Sequence, residues 1–413
     1  MAMVCEAGTT KFIHVWQLAV HIGLSRSEQT NMSLKVKVDA LIIGAGIMGA
    51  SCAFRLSEQK LRVAVLEAQI SPAMGSTGRS TAGVRVQFTE EVNIRLSWES
   101  IQEYQRFQDL YGEDAGYRAI GYLLLVPPER LDVHMASVRL QERIGVPVHV
   151  LSAEDAQQLV RFDPANIACA TFGPADGVVD PHSVTFAYLR LAKERGAGIY
   201  VETPLTKAYR VGTTWQVETP KGIFEAEYLV NAAGAWAGEV ARRAGLAVPV
   251  QPVRRMVYAT VPTAWHHTYP LTIDLASGFY LRSEGKRVLF GRSNPDEPPG
   301  FTQGVDWDWF EPTIRVGATR FPWLADVRLD HRASWWGYYE VTPDHNPILG
   351  RLPAAENWIN VAGFSGHGVQ QAPMVGRLMA EEITLGKAQS INIDTLRIDR
   401  LLDDRQQKEY NII

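Results

Sequence analysis

Residues 38–49 read VDALIIGAGIMG, an apolar run that ends in a glycine-rich turn. The run over residues 38–43 predicts a buried parallel strand, and the spacing of the apolar side chains predicts a helix over residues 47–58. Residues 61–66 form a second apolar run, which ends at Glu67. Strand, glycine turn, helix and second strand together predict the βαβ unit that opens an α/β domain.

The glycine turn has the spacing of a dinucleotide site. Gly44 permits the tight turn, Gly46 lets the backbone approach a pyrophosphate, and Gly49 lets the helix pack closely on the strand. The helix N-terminus offers N–H groups and a positive dipole end to the phosphates. Glu67 stands 21 residues after Gly46, where an acidic residue binds a ribose 2′-hydroxyl and would repel the 2′-phosphate of NADP. The motif predicts a dinucleotide and leaves NAD and FAD open.

A second stretch rich in small polar residues, GSTGRSTAG at residues 75–83, follows the acidic residue. Its N–H and hydroxyl groups would bind a longer, flavin-bearing dinucleotide, which favours FAD. The alternative is an ordinary polar loop.

The composition excludes several classes of function. The 413 residues carry a net charge of −4, with no basic excess for nucleic acid or an anionic membrane. The three cysteines form no CxxC pair and the ten histidines form no HExxH motif, so we expect a reducing compartment and no metal site. No apolar run is long enough to span a membrane. We expect a cytoplasmic protein, with peripheral membrane attachment as an alternative, or a mitochondrial matrix protein in a eukaryote.

Further helices and strands follow along the chain. Helical patterns cover residues 92–111, 128–144, 183–195, 237–244, 308–321 and 369–385. Strand patterns cover residues 121–126, 228–232, 251–261, 278–281, 287–291, 335–342 and 358–362. The aromatic cluster Trp335, Trp336, Tyr338 and Tyr339 is predicted to be core strand rather than a ligand cage. The adjacent histidines His266 and His267 are predicted to be loop residues.

Four motifs in one order carry a family resemblance. With GAGIMG, Glu67, NAAGAW (residues 231–236) and GFSGHGVQQAP (residues 363–373), the chain resembles the D-amino-acid-oxidase-like superfamily of FAD enzymes. That superfamily includes sarcosine oxidase, glycine oxidase, dimethylglycine dehydrogenase and the β-subunits of heterotetrameric sarcosine oxidases and proline dehydrogenases. The stretches GYLLL, WWGYYEVTPDHNPILG and the C-terminal YNII are also similar to FAD-dependent oxidoreductase domain-containing proteins linked to mitochondrial complex I assembly.

The resemblance implies an α/β fold in which a Rossmann-like FAD-binding domain is interleaved with an antiparallel-sheet α+β substrate domain. We predict that residues 34–97, 152–246 and 340–400 form the FAD-binding domain. Residues 98–151 and 247–339 would form the substrate domain. Residues 1–33 are predicted to be an N-terminal extension, disordered rather than a targeting segment, and residues 401–413 a C-terminal tail.

The resemblance also implies which residues hold the cofactor. The ADP half would contact Gly44, Gly46, Ile47, Met48, Gly49, Glu67 and Ala68. The pyrophosphate and ribityl chain would lie near Ser76, Thr77, Arg79 and Ser80. The adenosine part would lie near Leu205, Ala233, Gly234 and Trp236. The isoalloxazine would be approached by Gly363, Gly366, His367, Gly368, Val369 and Gln370.

Three departures from relatives refine this expectation. The position of the cysteine that tethers the flavin in some relatives is Gly337, and the loop after the acidic residue lacks the histidine that tethers it in others, so we expect noncovalent FAD. The oxygen-activating lysine of sarcosine oxidase falls on Leu289. Loss of that cation would slow the formation of superoxide. We therefore expect a dehydrogenase that passes electrons to a carrier protein or a quinone.

Candidate substrate residues come with alternatives. Arg85 matches the arginine that binds the substrate carboxylate in the family, against a surface ion pair. The second cation of the family falls on Gln370, and Arg292 is a possible replacement or a structural ion pair. Tyr258 and Tyr280 are hydroxyl donors or buried strand aromatics. His367 is a donor to the flavin or substrate, or makes a structural hydrogen bond.

The sequence thus predicts an FAD enzyme that oxidises a small secondary or N-methylated amino acid, with hydrolysis of the resulting imine. The alternative is a flavin-bearing assembly or scaffold protein of a respiratory complex with little or no turnover. An NAD-dependent dehydrogenase is disfavoured because it does not account for GFSGHG. The oligomeric state stays open.

Overall fold

The computed structural model describes residues 34–264, 268–401 and 409. The predicted N-terminal extension, the pair His266 and His267, and the predicted C-terminal tail apart from Leu401 and Glu409 lie outside these residues.

Eighteen strands and nine α-helices make up the described part of the chain. The strands are β1 Leu34–Ile43, β2 Val63–Leu66, β3 Gly83–Val84, β4 Tyr122–Val126, β5 His149–Leu151, β6 Cys169–Gly173, β7 Gly177–Val178, β8 Gly198–Tyr200, β9 Lys207–Val211, β10 Thr214–Thr219, β11 Gly222–Asn231, β12 Gln251–Ala259, β13 Leu271–Asp274, β14 Phe279–Glu284, β15 Arg287–Gly291, β16 Trp335–Val341, β17 Ile348–Leu352 and β18 Ala355–Ala362. The helices are α1 Ile47–Glu58, α2 Glu91–Gln105, α3 Phe107–Tyr111, α4 Leu131–Ile144, α5 Ala153–Ala156, α6 Pro181–Glu194, α7 Ala237–Arg243, α8 Phe310–Arg320 and α9 Ala372–Thr384.

The first sheet has the strand order β17-β18-β11-β1-β2-β8, and β9 and β10 extend it as a hairpin against β11. Strands β11, β1, β2 and β8 run parallel, as does the pair β11 and β18. Parallel strands are buried on both faces, which explains why β2 and the last four residues of β1 are continuous apolar runs. The predicted βαβ unit is therefore confirmed.

Helix α1 lies between the sheet and two other helices, α6 and α9. Ten of its twelve residues are buried. Helices α1 and α9 are in close contact at Gly376 of α9, where an added Cβ would overlap Ser51 of α1. This packing fixes the N-terminus of α1 at the carboxyl end of β1, where parallel sheets bind ligands.

The second sheet has the order β16-β12-β15-β14-β13-β4-β6-β5. Its pairs are antiparallel except for β13 and β4. One face packs on α8, around a core that includes Tyr258, Phe279, Phe290 and Phe321. The mixed α/β fold expected from the sequence is confirmed by this architecture and by the family comparison reported below.

Several details differ from the sequence-based expectation. Strand β6 belongs to the second sheet, although residues 152–246 were all assigned to the FAD-binding domain. Helices α2 and α3 pack into the core beside the first sheet, although residues 98–151 were assigned to the substrate domain. The helix predicted over residues 92–111 is divided at Arg106. The domain boundaries themselves remain a proposal, since neighbouring segments contribute to both sheets.

Candidate cofactor and active site

A cavity of about 400 Å³ lies between the two sheets. One end is formed by the turn after β1 and the end of β2, including Gly44, Gly46 and Glu67. The other end is formed by β12, β14 and β16 of the second sheet, including Tyr280 and Tyr339. A cleft at the carboxyl ends of parallel strands is the expected place for a dinucleotide in such a fold.

The glycine turn is built for close backbone approach. Gly44 has φ +105°, in the left-handed region, and a Cβ there would overlap the carbonyl oxygen of Ala232. A Cβ on Gly49 would overlap the carbonyl oxygen of Gly44, so this glycine seats α1 on the turn. Gly46 ends the turn in extended conformation as the residue before the first turn of α1. The tight turn at Gly44 and the close helix packing at Gly49 are the roles that the spacing predicted for these two glycines, and the approach of Gly46 to a pyrophosphate stays a prediction.

The polar stretch after the acidic residue folds over this turn. The backbone N–H of Ile47 donates to Oγ1 of Thr77 at 3.0 Å. A Cβ on Gly46 would stand 3.1 Å from the same oxygen. The Ser76 hydroxyl donates to the carbonyl oxygen of Tyr338 at 2.8 Å, which ties the stretch to β16. The segment thus closes the cavity over the N-terminus of α1 instead of lying on the surface as a separate loop.

Glu67 is held in place at the end of β2. Its two carboxylate oxygens accept the N–H groups of Ala45 and Gln69, each at 2.8 Å. A carboxylate oxygen has a second acceptor position, so both remain able to accept hydroxyl groups. This arrangement fits the diol of a ribose, and together with the glycine turn it fits the ADP half of a dinucleotide.

Most of the predicted cofactor residues meet at this cavity. The lining includes Gly44, Gly46, Ile47, Met48, Glu67, Ala68, Ser76, Thr77, Arg79, Ser80, Leu205, Ala233, Gly234, Trp236, Gly366, Gly368 and Val369. Gly49 lies beneath the turn, and Gly363 packs against the methyl group of Thr342. Neither lines the cavity, and both contribute by allowing the backbone to pass close to its neighbours. His367 and Gln370 line a second, smaller cavity.

The second cavity has a volume of about 50 Å³ and borders the first. Ser80, Thr81, Tyr280, Tyr339 and Gly366 line both cavities. The remaining lining residues are Gly83, Arg85, Tyr122, Leu271, Ser365, His367 and Gln370. A pocket of this size beside a cofactor cleft accommodates a ligand of only a few heavy atoms.

Two side chains of the second cavity carry polar atoms that need a ligand. Nε2 of His367 and Nε2 of Gln370 are buried and have no hydrogen-bond partner within the described residues. Buried polar atoms are nearly always paired in native structures. Burial, with the nearby charge of Arg85, lowers the pKa of His367 to about 3, so its imidazole is neutral at physiological pH. A polar ligand in this cavity would satisfy both atoms.

Arg85 brings a buried positive charge to the same cavity. Its Nη1 donates to the carbonyl oxygen of Gln87 at 2.7 Å, and its backbone N–H donates to Oε1 of Gln370 at 3.0 Å. Behind it, Asp176 accepts from the backbone N–H of Val86 at 2.9 Å and from Nε2 of Gln87 at 3.1 Å. Burial raises the pKa of Asp176 to about 7. The surface ion pair considered as an alternative for Arg85 is wrong, since the residue is 5% exposed.

Two predicted catalytic residues lie outside both cavities. The Tyr258 hydroxyl donates to the carbonyl oxygen of Asp306 at 2.6 Å, and the ring is in the core of the second sheet. Tyr258 points away because its neighbour Val257 faces the cavity and successive strand residues alternate between faces. Nε of Arg292 donates to the carbonyl oxygen of Ser277 at 2.9 Å. The structure therefore does not support catalytic roles for Tyr258 and Arg292.

Tyr339, Arg255 and Glu340 are among the cavity residues that were not predicted to be functional. Tyr339 lines both cavities, although the aromatic cluster was assigned to the core, and a Cβ on Gly366 would overlap its ring. Strand alternation from Gly337 could have found it. Arg255 lines the cofactor cavity opposite Gly337 in the β12–β16 register, which the sequence does not reveal. Oε2 of Glu340 accepts the N–H of Gly363 at 2.9 Å, and burial raises the pKa of Glu340 to about 7.

Comparison with known proteins identifies the family. A protein-family profile described as FAD dependent oxidoreductase (DAO) matches residues 39–382. The chain belongs to the DAO family of FAD-dependent oxidoreductases. Membership of this family implies FAD, rather than NAD, as the cofactor.

Individual relatives of this DAO-family chain include proteins named as oxidoreductases. FAD-dependent oxidoreductase domain-containing protein 1 from Bos taurus is 30% identical, over 91% of this chain and 87% of that protein. Mitochondrial dimethylglycine dehydrogenase from Mus musculus is 29% identical, over 86% of this chain and 43% of that protein. The crystal structure of L-proline dehydrogenase from P. horikoshii has 28% identity and a TM-score of 0.83, and the match covers 91% of this chain and 100% of that one.

Two further properties bear on the class of site. Across residues 34–264 and 268–401, no helix is long and apolar enough to cross a membrane. Nor does that part of the chain bring three or more His, Cys, Asp or Glu side chains together as metal ligands.

Proposed function

We propose that this protein is an FAD-dependent dehydrogenase of a small secondary or N-methylated amino acid. The second cavity carries the proposal, because it is small, borders the cofactor cavity and combines the charge of Arg85 with the unpartnered polar atoms of His367 and Gln370. The related proteins named dimethylglycine dehydrogenase and L-proline dehydrogenase support the same class of substrate.

The lining residues divide the work of binding between charge and hydrogen bonds. Arg85 is the anchor for the substrate carboxylate, since a guanidinium suits a carboxylate in both charge and shape. The neutral His367 imidazole would accept a hydrogen bond from the substrate amine. Tyr280 and Tyr339 line both cavities and would hold the reacting carbon against the flavin.

FAD supplies the redox step when bound, because it accepts a hydride from the carbon next to the amine and leaves an iminium that water hydrolyses. The protein orients that carbon and excludes water around it. The small volume of the second cavity favours substrates such as proline or sarcosine over larger amines.

We propose that FAD is held without a covalent bond. Gly337 has no side chain to carry a tether, and residues 75–83 contain no histidine. Acid precipitation should release the FAD into the supernatant. Yellow colour that stays with the precipitated protein would contradict this.

The electron acceptor is proposed to be a carrier protein or a quinone instead of oxygen. Leu289 is 3% exposed and packs with Val257 and Ala259, so an apolar cluster stands where sarcosine oxidase has its lysine. Reduced enzyme mixed with air-saturated buffer should reoxidise slowly, and rapid reoxidation would overturn the assignment. We place the protein in the cytoplasm, or in the mitochondrial matrix of a eukaryote, which cell fractionation tests.

The decisive experiment is an anaerobic screen of the FAD-loaded protein. Proline, hydroxyproline, sarcosine, glycine and dimethylglycine are each added, and the visible absorption of the flavin is followed with and without an artificial acceptor. Bleaching by at least one secondary or N-methylated amino acid is expected. No bleaching with any of them would favour a flavin-bearing assembly or scaffold protein.

A further inference from the structure

Two neighbouring arginines on β12 have opposite environments. Arg254 points to the face of the sheet away from the cofactor cavity, where its Nε lies 2.9 Å from Oε1 of Glu297 and its Nη2 lies 3.5 Å from Oδ2 of Asp306. Arg255 points to the other face and lines the cofactor cavity. The first arginine is neutralised by carboxylates, and the second has its charge directed into the cavity.

The contacts of Arg255 leave its charge without a counter-ion. Its Nη1 donates to the carbonyl oxygen of Arg254 at 3.0 Å, and its guanidinium carbon lies 5.4 Å from the centre of the Tyr339 ring. Its Nε is buried without a hydrogen-bond partner, and no described carboxylate lies within ion-pair distance of the guanidinium. Burial lowers the pKa of Arg255. An unpaired charge that is partly buried is costly in the protein alone, so an anion in the cavity would compensate it.

The position of Arg255 indicates which anion this is. Arg255 lines the cofactor cavity and not the second cavity, whereas Tyr280 and Tyr339 line both. It therefore faces the cofactor and not the substrate carboxylate. When a hydride, which is one proton and two electrons, leaves a neutral amine, the donor becomes a cationic iminium and the flavin ring gains one negative charge.

We propose that Arg255 stabilises the anionic reduced flavin electrostatically. A fixed cation in a water-poor cavity stabilises charge that develops during the reaction, and it requires no reorganisation at that moment. The charge favours reduced over oxidised cofactor, so Arg255 sets how strongly the flavin draws electrons from the substrate. This inference rests on the proposed FAD chemistry and is independent of which amine is oxidised.

The test compares Arg255→Gln, Arg255→Lys and the control Arg287→Gln. Arg287 also lies in the second sheet, pairs with Asp330 and is absent from both cavity linings. The midpoint potential of bound FAD is measured by equilibration with a reference dye, without substrate. Arg255→Gln should shift the reduction equilibrium at least tenfold toward oxidised flavin, which for two electrons is about 30 mV more negative. Arg255→Lys and Arg287→Gln should stay within threefold of wild type.

Two further readouts separate the proposal from its alternatives. Sulfite, an anion that adds to oxidised flavin, should bind at least tenfold more weakly to Arg255→Gln. The affinity for ADP, which lacks the flavin ring, should be unchanged, and the FAD-free variant should be at least as stable as wild type because an unpaired charge has been removed. Weaker ADP binding with an unchanged potential would show a pyrophosphate contact and overturn the proposal, as would an equal potential shift in Arg287→Gln. A potential shift without bleaching by any amine would reject only the proposed function.

Discussion

The two adjoining cavities are built in different ways. The cofactor cavity begins at backbone groups of one contiguous unit, in which Gly44, Gly46 and Glu67 shape the turn and the ribose site. The substrate cavity is assembled from side chains that come from distant segments, such as Arg85, Tyr122 and His367. Because the first cavity is formed by the backbone, it should tolerate most side-chain changes. It should not tolerate the Cβ atom that a substitution at one of its glycines would add. The second depends on buried polar side chains, which lower stability in exchange for chemistry.

The largest expected effect tests whether the buried polar side chains around the substrate cavity lower the stability of the fold. Burial raises the pKa of Asp176 to about 7, above about 3.9 in an unfolded chain. The folded state therefore binds the extra proton between these values, and this group lowers the free energy of unfolding as pH rises from about 4 to about 7. Relative to wild type, Asp176→Asn should gain stability over that range, up to about 4 kcal/mol. Urea unfolding at pH 5 and pH 8 measures it, and a difference that does not grow with pH would break the comparison.

The next effect tests the backbone character of the cofactor cavity. Gly44→Ala places a Cβ against the carbonyl of Ala232 at a left-handed φ, and the combined clash and strain should cost about 3 kcal/mol. FAD affinity should fall by about a hundredfold. Gly212→Ala is the control, because φ is +63° and a Cβ meets nothing within 4 Å. It should lose about 1 kcal/mol of stability and no FAD affinity. Gly44→Ala that binds FAD as well as this control would contradict the account.

A third effect tests the side-chain character of the substrate cavity. Arg85→Gln should lower kcat/KM by about 30- to 150-fold, the equivalent of roughly 2–3 kcal/mol for a lost charged hydrogen bond. Its FAD affinity should be retained because Arg85 is not part of the cofactor lining. Arg292→Gln, at the position that the structure places outside both cavities, should keep kcat/KM within twofold. Steady-state kinetics on both variants checks this, and similar losses in the two would place the anchor elsewhere.

The smallest effect compares two tyrosines of the second sheet. Tyr339→Phe removes a hydroxyl from the border of the two cavities and should lower kcat/KM by about tenfold, or roughly 1.4 kcal/mol. Tyr258→Phe removes the hydrogen bond to Asp306 and should cost about 1 kcal/mol of stability with unchanged kinetics. If Tyr258→Phe were the variant with slower turnover, the assignment of strand faces to the site would be wrong.

The comparison also explains what could be predicted from sequence. The glycine turn and Glu67 lie within 24 residues of one another, so periodicity and spacing specify their geometry. The side chains of the second cavity are brought together by strand pairing, and the sequence does not state which strands pair. Because strand pairing is not visible in the sequence, Tyr258 was predicted to be a site residue and Tyr339 a core residue. Arg255 was missed because its place opposite Gly337 depends on the β12–β16 register. Strand β6 was missed because CATFG carries little alternation.

The central claim is that the second cavity binds a small carboxylate beside the flavin through Arg85. Titration of the FAD-loaded protein with an unreactive carboxylate such as acetate, followed by the visible flavin spectrum, tests it without any turnover. The account predicts a saturable spectral change in wild type and in Tyr258→Phe, and a midpoint at least thirtyfold higher in Arg85→Gln. No spectral change in wild type, or the same midpoint in Arg85→Gln, would contradict it.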